Sequence, residues 1–178
     1  LSPKCEVVSP PLNISCLSSY LRKEGFSTGV YDLNVECYMA RGEKYMTSWE
    51  VTSQEFWTQS SSVESYFDDN TGIVEKLMSY IETEAPLAVG FTNWFINFES
   101  NIYIARKIKD RFPQVKIIFG GPEISIRLKS GRLARAEYMF VDAFVQGEGE
   151  ITLEELLRCF KAGKAITDCD GAASFQDN

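Results

Sequence analysis

The chain has 178 residues, 44% of them hydrophobic and 24% charged, and a formal net charge of −7. This composition predicts one globular domain with a sizeable core, and the acidity, without any basic stripe, argues against nucleic-acid binding. The absence of His excludes a Ser-His-Asp triad, a His-containing zinc site and a His-activated Cys within the chain. No apolar run approaches the ~18 residues of a membrane span. No signal peptide is recognisable either, so we expect a cytoplasmic protein without membrane contact.

The first third of the chain predicts a strand, a helix and a second strand. Cys5–Ser9 is a short, polar strand candidate, and the two prolines after it stop regular pairing. Asn13 is predicted to cap a helix that ends at Gly25. Thr28–Leu33 then reads as the second strand.

Val35–Asp69 fits this alternation worst and predicts an insertion of short helices and loops. It contains seven aromatic residues, namely Tyr38, Tyr45, Trp49, Phe56, Trp57, Tyr66 and Phe67. The favoured interpretation is that these rings pack the insertion onto the domain. The alternative is a lid or a partner surface, because long connections in compact domains are often functional.

The second half alternates helices with short, continuously apolar runs, which is typical of parallel strands buried on both faces. The predicted strands are Leu87–Phe91, Val115–Phe119 and Ala143–Val145. A helix capped by Asn70 or Thr71 precedes them, a helix from about Phe98 to Arg111 lies between the first two, and a weak helical region reaches Ala136. The last helix is predicted to begin with a capping box of Thr152 and Glu155 and to end at Gly163.

This order of elements predicts an α/β domain with helices on both faces of a mainly parallel sheet. About five strands favour a flavodoxin-like, or Rossmann-like, doubly wound sheet in the order 2-1-3-4-5. We expect the domain to span residues 1–165 and residues 166–178 to form a linker or strand pair. Because Leu1 is not an initiator Met, we expect a domain cut from a longer protein.

Ligands of such folds bind where the strands end, so candidate site residues follow the predicted strands. Thr92, Asn93 and Trp94 end the third strand, Gly120, Gly121 and Pro122 the fourth, and Gly147 the fifth. Ser9, Pro10, Pro11, Leu12 and Asn13 would form the opposite wall. Structural roles compete with each assignment, since Thr92 and Asn93 could cap a helix and the glycine pair could form a tight turn. Glu148 and Glu150 are expected near a helix N-terminus rather than in acid–base catalysis.

The five Cys residues (Cys5, Cys16, Cys37, Cys159 and Cys169) show no spacing typical of metal ligands. We therefore expect reduced thiols rather than disulfides or a metal site.

Taken together, several segments resemble the cobalamin-binding domain at the N-terminus of many radical S-adenosylmethionine (radical SAM) enzymes. The resemblance covers nearly the whole chain and rests on their order and spacing. Its main carriers are Ser9–Leu12, Tyr31–Asn34, Val89–Thr92, Phe119–Glu123 and Val141–Glu150.

The resemblance implies a corrinoid whose nucleotide tail is buried near the ends of the third and fourth strands, beside Thr92 and Gly120–Gly121. The implied cofactor-binding residues are Ser9, Pro10, Pro11, Leu12, Asn13, Thr92, Asn93, Trp94, Gly120, Gly121, Pro122, Glu123, Gln146, Gly147 and Glu148. The chain lacks the Asp-x-His-x-x-Gly motif whose His binds cobalt in the best-known members, so the cobalamin would be His-off. It also lacks the Cys-x-x-x-Cys-x-x-Cys motif. The resemblance therefore implies a 4Fe-4S cluster and S-adenosylmethionine in a downstream radical SAM domain of the same chain, and no catalytic residue here.

Two other functions remain as alternatives. The first is a degenerate domain without cofactor that serves as an interaction platform or substrate lid. The second is a free-standing enzyme or flavin protein. It is disfavoured because Pro10 and Pro11, directly after the first predicted strand, offer few backbone donors to a phosphate.

Overall fold

The structure is a computed structural model that describes residues 12–133, 135–166 and 169–175. The predicted first strand, Cys5–Ser9, and the predicted site residues Ser9, Pro10 and Pro11 lie outside these ranges. The described helices are α1 (Leu12–Lys23), α2 (Leu33–Ala40), α3 (Ser60–Asp69), α4 (Thr71–Glu84), α5 (Phe98–Arg111), α6 (Pro122–Lys129) and α7 (Glu150–Ala162). The described strands are β1 (Ala88–Thr92), β2 (Lys116–Gly120), β3 (Ala143–Val145) and β4 (Ala172–Ala173). Short 3-10 helices cover Glu43–Trp49, Val51–Thr58, Phe95–Asn97 and Arg135–Glu137.

The four described strands form one mixed sheet in the order β1-β2-β3-β4. The first three are parallel, with Thr92 opposite Gly120 and Phe119 opposite Phe144. They correspond to the predicted third, fourth and fifth strands. β4 pairs antiparallel with β3.

The predicted strand Thr28–Leu33 is wrong, because the structure assigns no strand between α1 and α2 and α2 already begins at Leu33. The segment packs through its side chains instead of pairing with the sheet. The Tyr31 ring lies 5.2 Å from the Tyr80 ring of α4, and the Thr28 hydroxyl is 2.7 Å from that of Ser18 on α1. Asp32, expected to close a strand, instead caps α2, since its carboxylate accepts a hydrogen bond from the Val35 amide at 3.1 Å.

Helices cover both faces of the sheet, as the sequence predicts. The side chains of β2 alternate between the faces. Ile117 and Phe119 point into the larger core with α3, α4 and α5. Ile118 points to the other face, into a smaller core with Leu156 of α7.

The aromatic insertion belongs to the larger core, which confirms the packing interpretation. Trp57, Tyr66 and Phe67 are almost fully buried. The Trp57 ring meets those of Trp49 and Tyr66 edge to face at 4.7 and 5.1 Å, and its indole N–H donates to the Ser48 carbonyl at 2.7 Å. Such edge-to-face pairs are favourable beyond the area that they bury. These rings therefore stabilise the domain and are not available as a surface.

The two ends of α7 differ from each other in how well the sequence predicted them. Gly163 ends the helix in a left-handed conformation, as predicted. The predicted capping box is wrong, because α7 begins at Glu150 and places Thr152 inside its first turn. The Thr152 hydroxyl donates to the Asp170 carbonyl at 2.8 Å, so a tertiary contact uses the group that a cap would have used. No helix in the described ranges is long and apolar enough to cross a membrane.

Candidate functional site

The ends of the three parallel strands meet at one edge of the sheet, tied together by main-chain hydrogen bonds. The Asn93 amide donates to the Gly120 carbonyl at 2.8 Å, and the Glu123 amide donates to the Asn93 carbonyl at 3.1 Å. The Gly147 amide donates to the Ser125 hydroxyl at 3.2 Å. The structure therefore brings together the residues predicted after β1, β2 and β3. We call this region the carboxyl edge.

The start of α1 belongs to the same region. A Cβ on Gly149, just before α7, would lie 3.3 Å from Leu17 of α1. One turn further along α7, the Glu154 carboxylate accepts a hydrogen bond from the Tyr20 hydroxyl at 2.8 Å. This hydrogen bond holds the pKa of Glu154 below its ordinary value. The two helices thus run in the same direction. Leu12 is exposed and lies about 7.5 Å beyond Leu17 along the axis, at 1.5 Å per residue. Leu12 and Asn13 therefore lie at the end of α1 that is directed toward the carboxyl edge.

Asn93 is fully buried, and neighbouring main-chain and side-chain groups occupy its amide. Its nitrogen donates to the carbonyls of Phe91 and Gly120 at 3.1 and 3.2 Å. Its oxygen accepts from the Asn101 amide at 3.0 Å. Because a buried amide needs such partners, Asn93 fixes the turn after β1 and has little capacity left for a ligand.

Gly121 has φ +98° and ψ 175°, a conformation essentially restricted to glycine. A Cβ here would lie 2.8 Å from both the main-chain nitrogen and the main-chain oxygen of Asn93. The neighbouring turn therefore occupies the space beside Gly121, and the close approach joins β1 to β2. Gly120 is different, because its Cβ would meet only Val145 at an ordinary 3.5 Å.

In the described part of the structure, one face of β1 is open and carries few side chains. Ala88, Gly90 and Thr92 share it by alternation, and it is the face that α7 covers further along the sheet, at Ile118. Gly90 is exposed in the middle of the strand, and no atom of the described part lies within 4 Å of the Cβ position. Glycine inside a strand is typical of a site that another molecule approaches closely. The sequence analysis missed Gly90, although its position inside a predicted strand was a usable signal.

Thr92 ends this open face with a half-buried side chain. Its carbonyl accepts hydrogen bonds from Asn97 and Asn101 at 3.1 and 3.2 Å. Its hydroxyl has no hydrogen-bond partner among residues 12–133, 135–166 and 169–175. The hydroxyl is therefore available to a ligand that lies along the open face.

Two exposed aromatic side chains follow Thr92 in the segment after β1. Trp94 and Phe95 are 52% and 64% exposed, which is unusual for large aromatic residues and offers contact area to a ligand. By contrast, Glu123 points inward and is 6% exposed. It accepts from Arg127 Nε at 2.7 Å, and the Arg127 guanidinium lies 4.0 Å from the centre of the Phe98 ring. Glu123 therefore stabilises α6 rather than facing a ligand.

The edge after β3 is bordered by the chain segment that precedes β4. The Gln146 amide donates to the Gly171 carbonyl at 2.9 Å, while Gln146, Gly147 and Glu148 are all exposed. Gly171 has φ +78°, and its Cβ would lie 2.9 Å from the Thr152 hydroxyl. The turn at residues 170–171 thus closes one side of the carboxyl edge.

The site as a whole fits a large ligand that has an apolar body and a hydrogen-bonding tail. Within the described residues, it offers a strand face with few side chains, a threonine hydroxyl without a hydrogen-bond partner and two exposed aromatic rings. No group of three or more His, Cys, Asp or Glu that could hold a metal ion occurs within the described ranges.

Comparison with known proteins adds a family and two relatives. A family model described as the B12 binding domain matches residues 55–157, more than half of the chain. The chain is 31% identical over 84 residues to the cobalamin-dependent radical SAM methyltransferase TokK of Streptomyces tokunonensis. It is 34% identical over 84 residues to the 2-(S-pantetheinyl)-carbapenam-3-carboxylate methyltransferase of Streptantibioticus cattleyicolor. Each match spans 47% of this chain and 12% of the relative. No solved structure matches the chain significantly.

Proposed function

The chain belongs to the family of B12-binding domains, and we propose that it is the cobalamin-binding module of a radical SAM enzyme. The observation that carries the proposal is the open face of β1 with the unused Thr92 hydroxyl at its end, inside the segment that the family model matches. The names of the two relatives, a cobalamin-dependent radical SAM methyltransferase and a carbapenam methyltransferase, support the class of enzyme. Bound cobalamin would supply methyl transfer or radical chemistry, and the protein would supply orientation.

We assign the described residues to two parts of the cofactor. The face of Gly90 and Thr92, with Gly120 beside it, would receive the nucleotide tail, and the Thr92 hydroxyl would hydrogen-bond it. Trp94 and Phe95 would contact the apolar faces of the corrin ring. The remaining predicted residues of the carboxyl edge, Leu12, Asn13, Pro122, Gln146, Gly147 and Glu148, would border the pocket. Asn93, Gly121 and Glu123 would hold its shape, and Ser9, Pro10 and Pro11 stay predictions.

The cobalamin would be His-off in this protein. The chain contains no His, so it cannot place an imidazole on cobalt. Binding would then depend on the tail and the ring contacts.

The rest of the proposal concerns the longer protein. We propose that a 4Fe-4S cluster and S-adenosylmethionine belong to a downstream radical SAM domain, and that residues 166–178 lead into this domain. We also propose that the protein works in the cytoplasm without nucleic-acid or membrane partners. Two observations support a downstream domain. β4 pairs antiparallel with β3 at the end of the described chain, and the matched segment is only 12% of each relative's length.

The test is a titration of the chain with hydroxocobalamin, followed by visible spectra and calorimetry. Gly90→Phe places an aromatic ring on the open face, and its Cβ would meet no described atom within 4 Å, so we expect at least ten-fold weaker binding. Thr92→Val keeps the shape but removes the hydroxyl, and the loss of about 1 kcal/mol for one hydrogen bond corresponds to roughly five-fold weaker binding. Gly72→Phe is the matched control, because Gly72 also has no atom within 4 Å of its Cβ position but lies at the start of α4.

The outcomes separate the proposals. If folded Gly90→Phe binds as tightly as the parent chain, the tail does not lie on β1. If neither the chain nor the protein extended by its downstream domain binds cobalamin, the cofactor function is wrong. The interaction platform without cofactor then becomes the better hypothesis.

A further inference from the structure

Two cysteine thiols meet beside the last turns of α7. The sulfur atoms of Cys159 and Cys169 lie 3.5 Å apart, and no disulfide joins them in the described structure. A disulfide joins its sulfurs at about 2.05 Å, so an approach of about 1.5 Å would suffice for a bond. The spacing of ten residues gave no such signal in the sequence.

The end of α7 turns the chain back so that the two residues meet. The Lys164 amide donates to the Cys159 carbonyl at 2.9 Å, and the Gly163 amide donates to the Phe160 carbonyl at 3.2 Å. This is the Schellman arrangement, which requires a left-handed residue, and Gly163 provides it with φ +64°. The chain then runs back along α7, and Ile166 and Cys169 are buried in the smaller core with Leu156.

Cys169 is held in this position by hydrogen bonds on both sides. Its amide donates to the Ile166 carbonyl, and its carbonyl accepts from the Ala172 amide, each at 3.1 Å. The next two carbonyls, those of Asp170 and Gly171, accept from Thr152 and Gln146. The proximity of the thiols therefore follows from an anchored backbone rather than from a free side-chain rotation.

We propose that Cys159 and Cys169 form a reversible disulfide that locks the segment 169–173, including β4, onto α7. The two thiols differ in access, since Cys159 is half-buried whereas Cys169 is 5% exposed. With a small-molecule disulfide such as oxidised glutathione as oxidant, the Cys159 thiolate attacks one sulfur and releases one glutathione thiol. Cys169 then attacks the mixed disulfide at Cys159 and releases the second. The protein loses two protons and two electrons, and one oxidised glutathione becomes two reduced molecules.

The lock would act on one side of the carboxyl edge. Segment 169–173 carries the turn at 170–171, whose carbonyls hold Thr152 and the Gln146 amide. In the reduced protein only hydrogen bonds and packing keep this turn in place. In the oxidised protein a covalent bond adjacent to the turn would restrain it. This inference does not depend on cobalamin binding.

The experiment equilibrates the chain in glutathione buffers of increasing oxidation, alkylates the remaining thiols and analyses tryptic peptides without reduction. Trypsin cleaves after Arg158, Lys161 and Lys164, so Cys159 and Cys169 fall in separate peptides, 159–161 and 165–178, which only a disulfide can join. We expect these two peptides to become joined in one two-electron step within monomers. Cys159→Ser should abolish the link, and Cys169→Ser should stop at a mixed disulfide of Cys159 with glutathione. Cys16→Ser, which removes an exposed thiol on α1, should change nothing.

Hydrogen exchange supplies the second readout. Oxidation should slow exchange of the Gln146 and Ala172 amides at least ten-fold, because the first donates to the Gly171 carbonyl of the locked segment and the second donates to the Cys169 carbonyl within it. If the two peptides never join while Cys16 forms its mixed disulfide, or join only between chains, the pair is not a redox site. If they join without slower exchange at these amides, the lock is wrong.

Discussion

Replacing Gly121 with Ala tests whether the protein itself, rather than a ligand, requires this glycine. The backbone has φ +98° and ψ 175°, and this region costs a non-glycine residue about 1–3 kcal/mol. The added Cβ would also lie 2.8 Å from two main-chain atoms of Asn93 and 3.3 Å from the Thr92 Cγ2. Neither Asn93 atom can move freely, because one donates to Gly120 and the other accepts from Glu123.

We therefore expect Gly121→Ala to lower the free energy of unfolding by about 3–5 kcal/mol, the strain and the clash together. Such a loss is a large part of the 5–15 kcal/mol that stabilises a typical domain. The matched control is Gly25→Ala. Gly25 has φ +88° but no atom within 4 Å of its Cβ position, so only the conformational cost of about 1–2 kcal/mol should appear.

The assay is urea unfolding of both variants and the parent chain, followed by circular dichroism and tryptophan fluorescence. Coincidence of the two signals checks that the transition is two-state. Equal losses in Gly121→Ala and Gly25→Ala would refute the close approach of Asn93 to Gly121. The requirement for glycine at position 121 would then come from its backbone conformation alone.

Two further predictions concern charged groups away from the carboxyl edge. Asp142 is 4% exposed and accepts from Lys109, Lys116 and the Ile117 amide at 2.8, 3.0 and 2.8 Å. Asp142→Asn should lower the free energy of unfolding by about 2–3 kcal/mol in urea titrations, whereas Asp69→Asn, which breaks an exposed pair with Lys44, should change it little. Burial raises the pKa of Glu99 above its ordinary value of 4.5, so ionisation of Glu99 opposes folding. The parent chain should thus lose stability relative to Glu99→Gln as the pH rises from about 4.5 through the raised pKa, and a constant difference over that range would contradict this.

Local sequence patterns predicted the elements that are stabilised locally. α5 begins and ends where its apolar spacing predicted, and β3 coincides with its predicted range. β1 and β2 are each displaced by one residue, within the usual uncertainty of element boundaries. A buried parallel strand and an amphipathic helix each carry their burial pattern in consecutive residues, so no tertiary information is needed.

The predictions were wrong or missing for segments whose conformation depends on residues that are distant in the sequence. Thr28–Leu33 has the composition of a strand, but contacts to Tyr80 and Ser18 compete with sheet pairing. Thr152 has the type and spacing of a cap, but Asp170, eighteen residues away, takes its hydroxyl. The meeting of Cys159 with Cys169 likewise depends on the reversal at Gly163. None of these partners can be identified from the local sequence.

The glycines of the candidate site also differ in how well the sequence predicted their roles, and this difference determines which substitutions are informative. The glycine pair attracted attention in the sequence because glycines after a strand permit close approach, yet the space beside Gly121 is filled by Asn93. Gly90 was not predicted as a site residue, yet its Cβ position faces open space on the strand face that ends at Thr92. A substitution at Gly121 changes the fold before it can affect a ligand. A side chain added at Gly90 would enter the ligand space, and its Cβ would meet no described atom within 4 Å, so Gly90 is the position at which loss of binding can be attributed to the site itself.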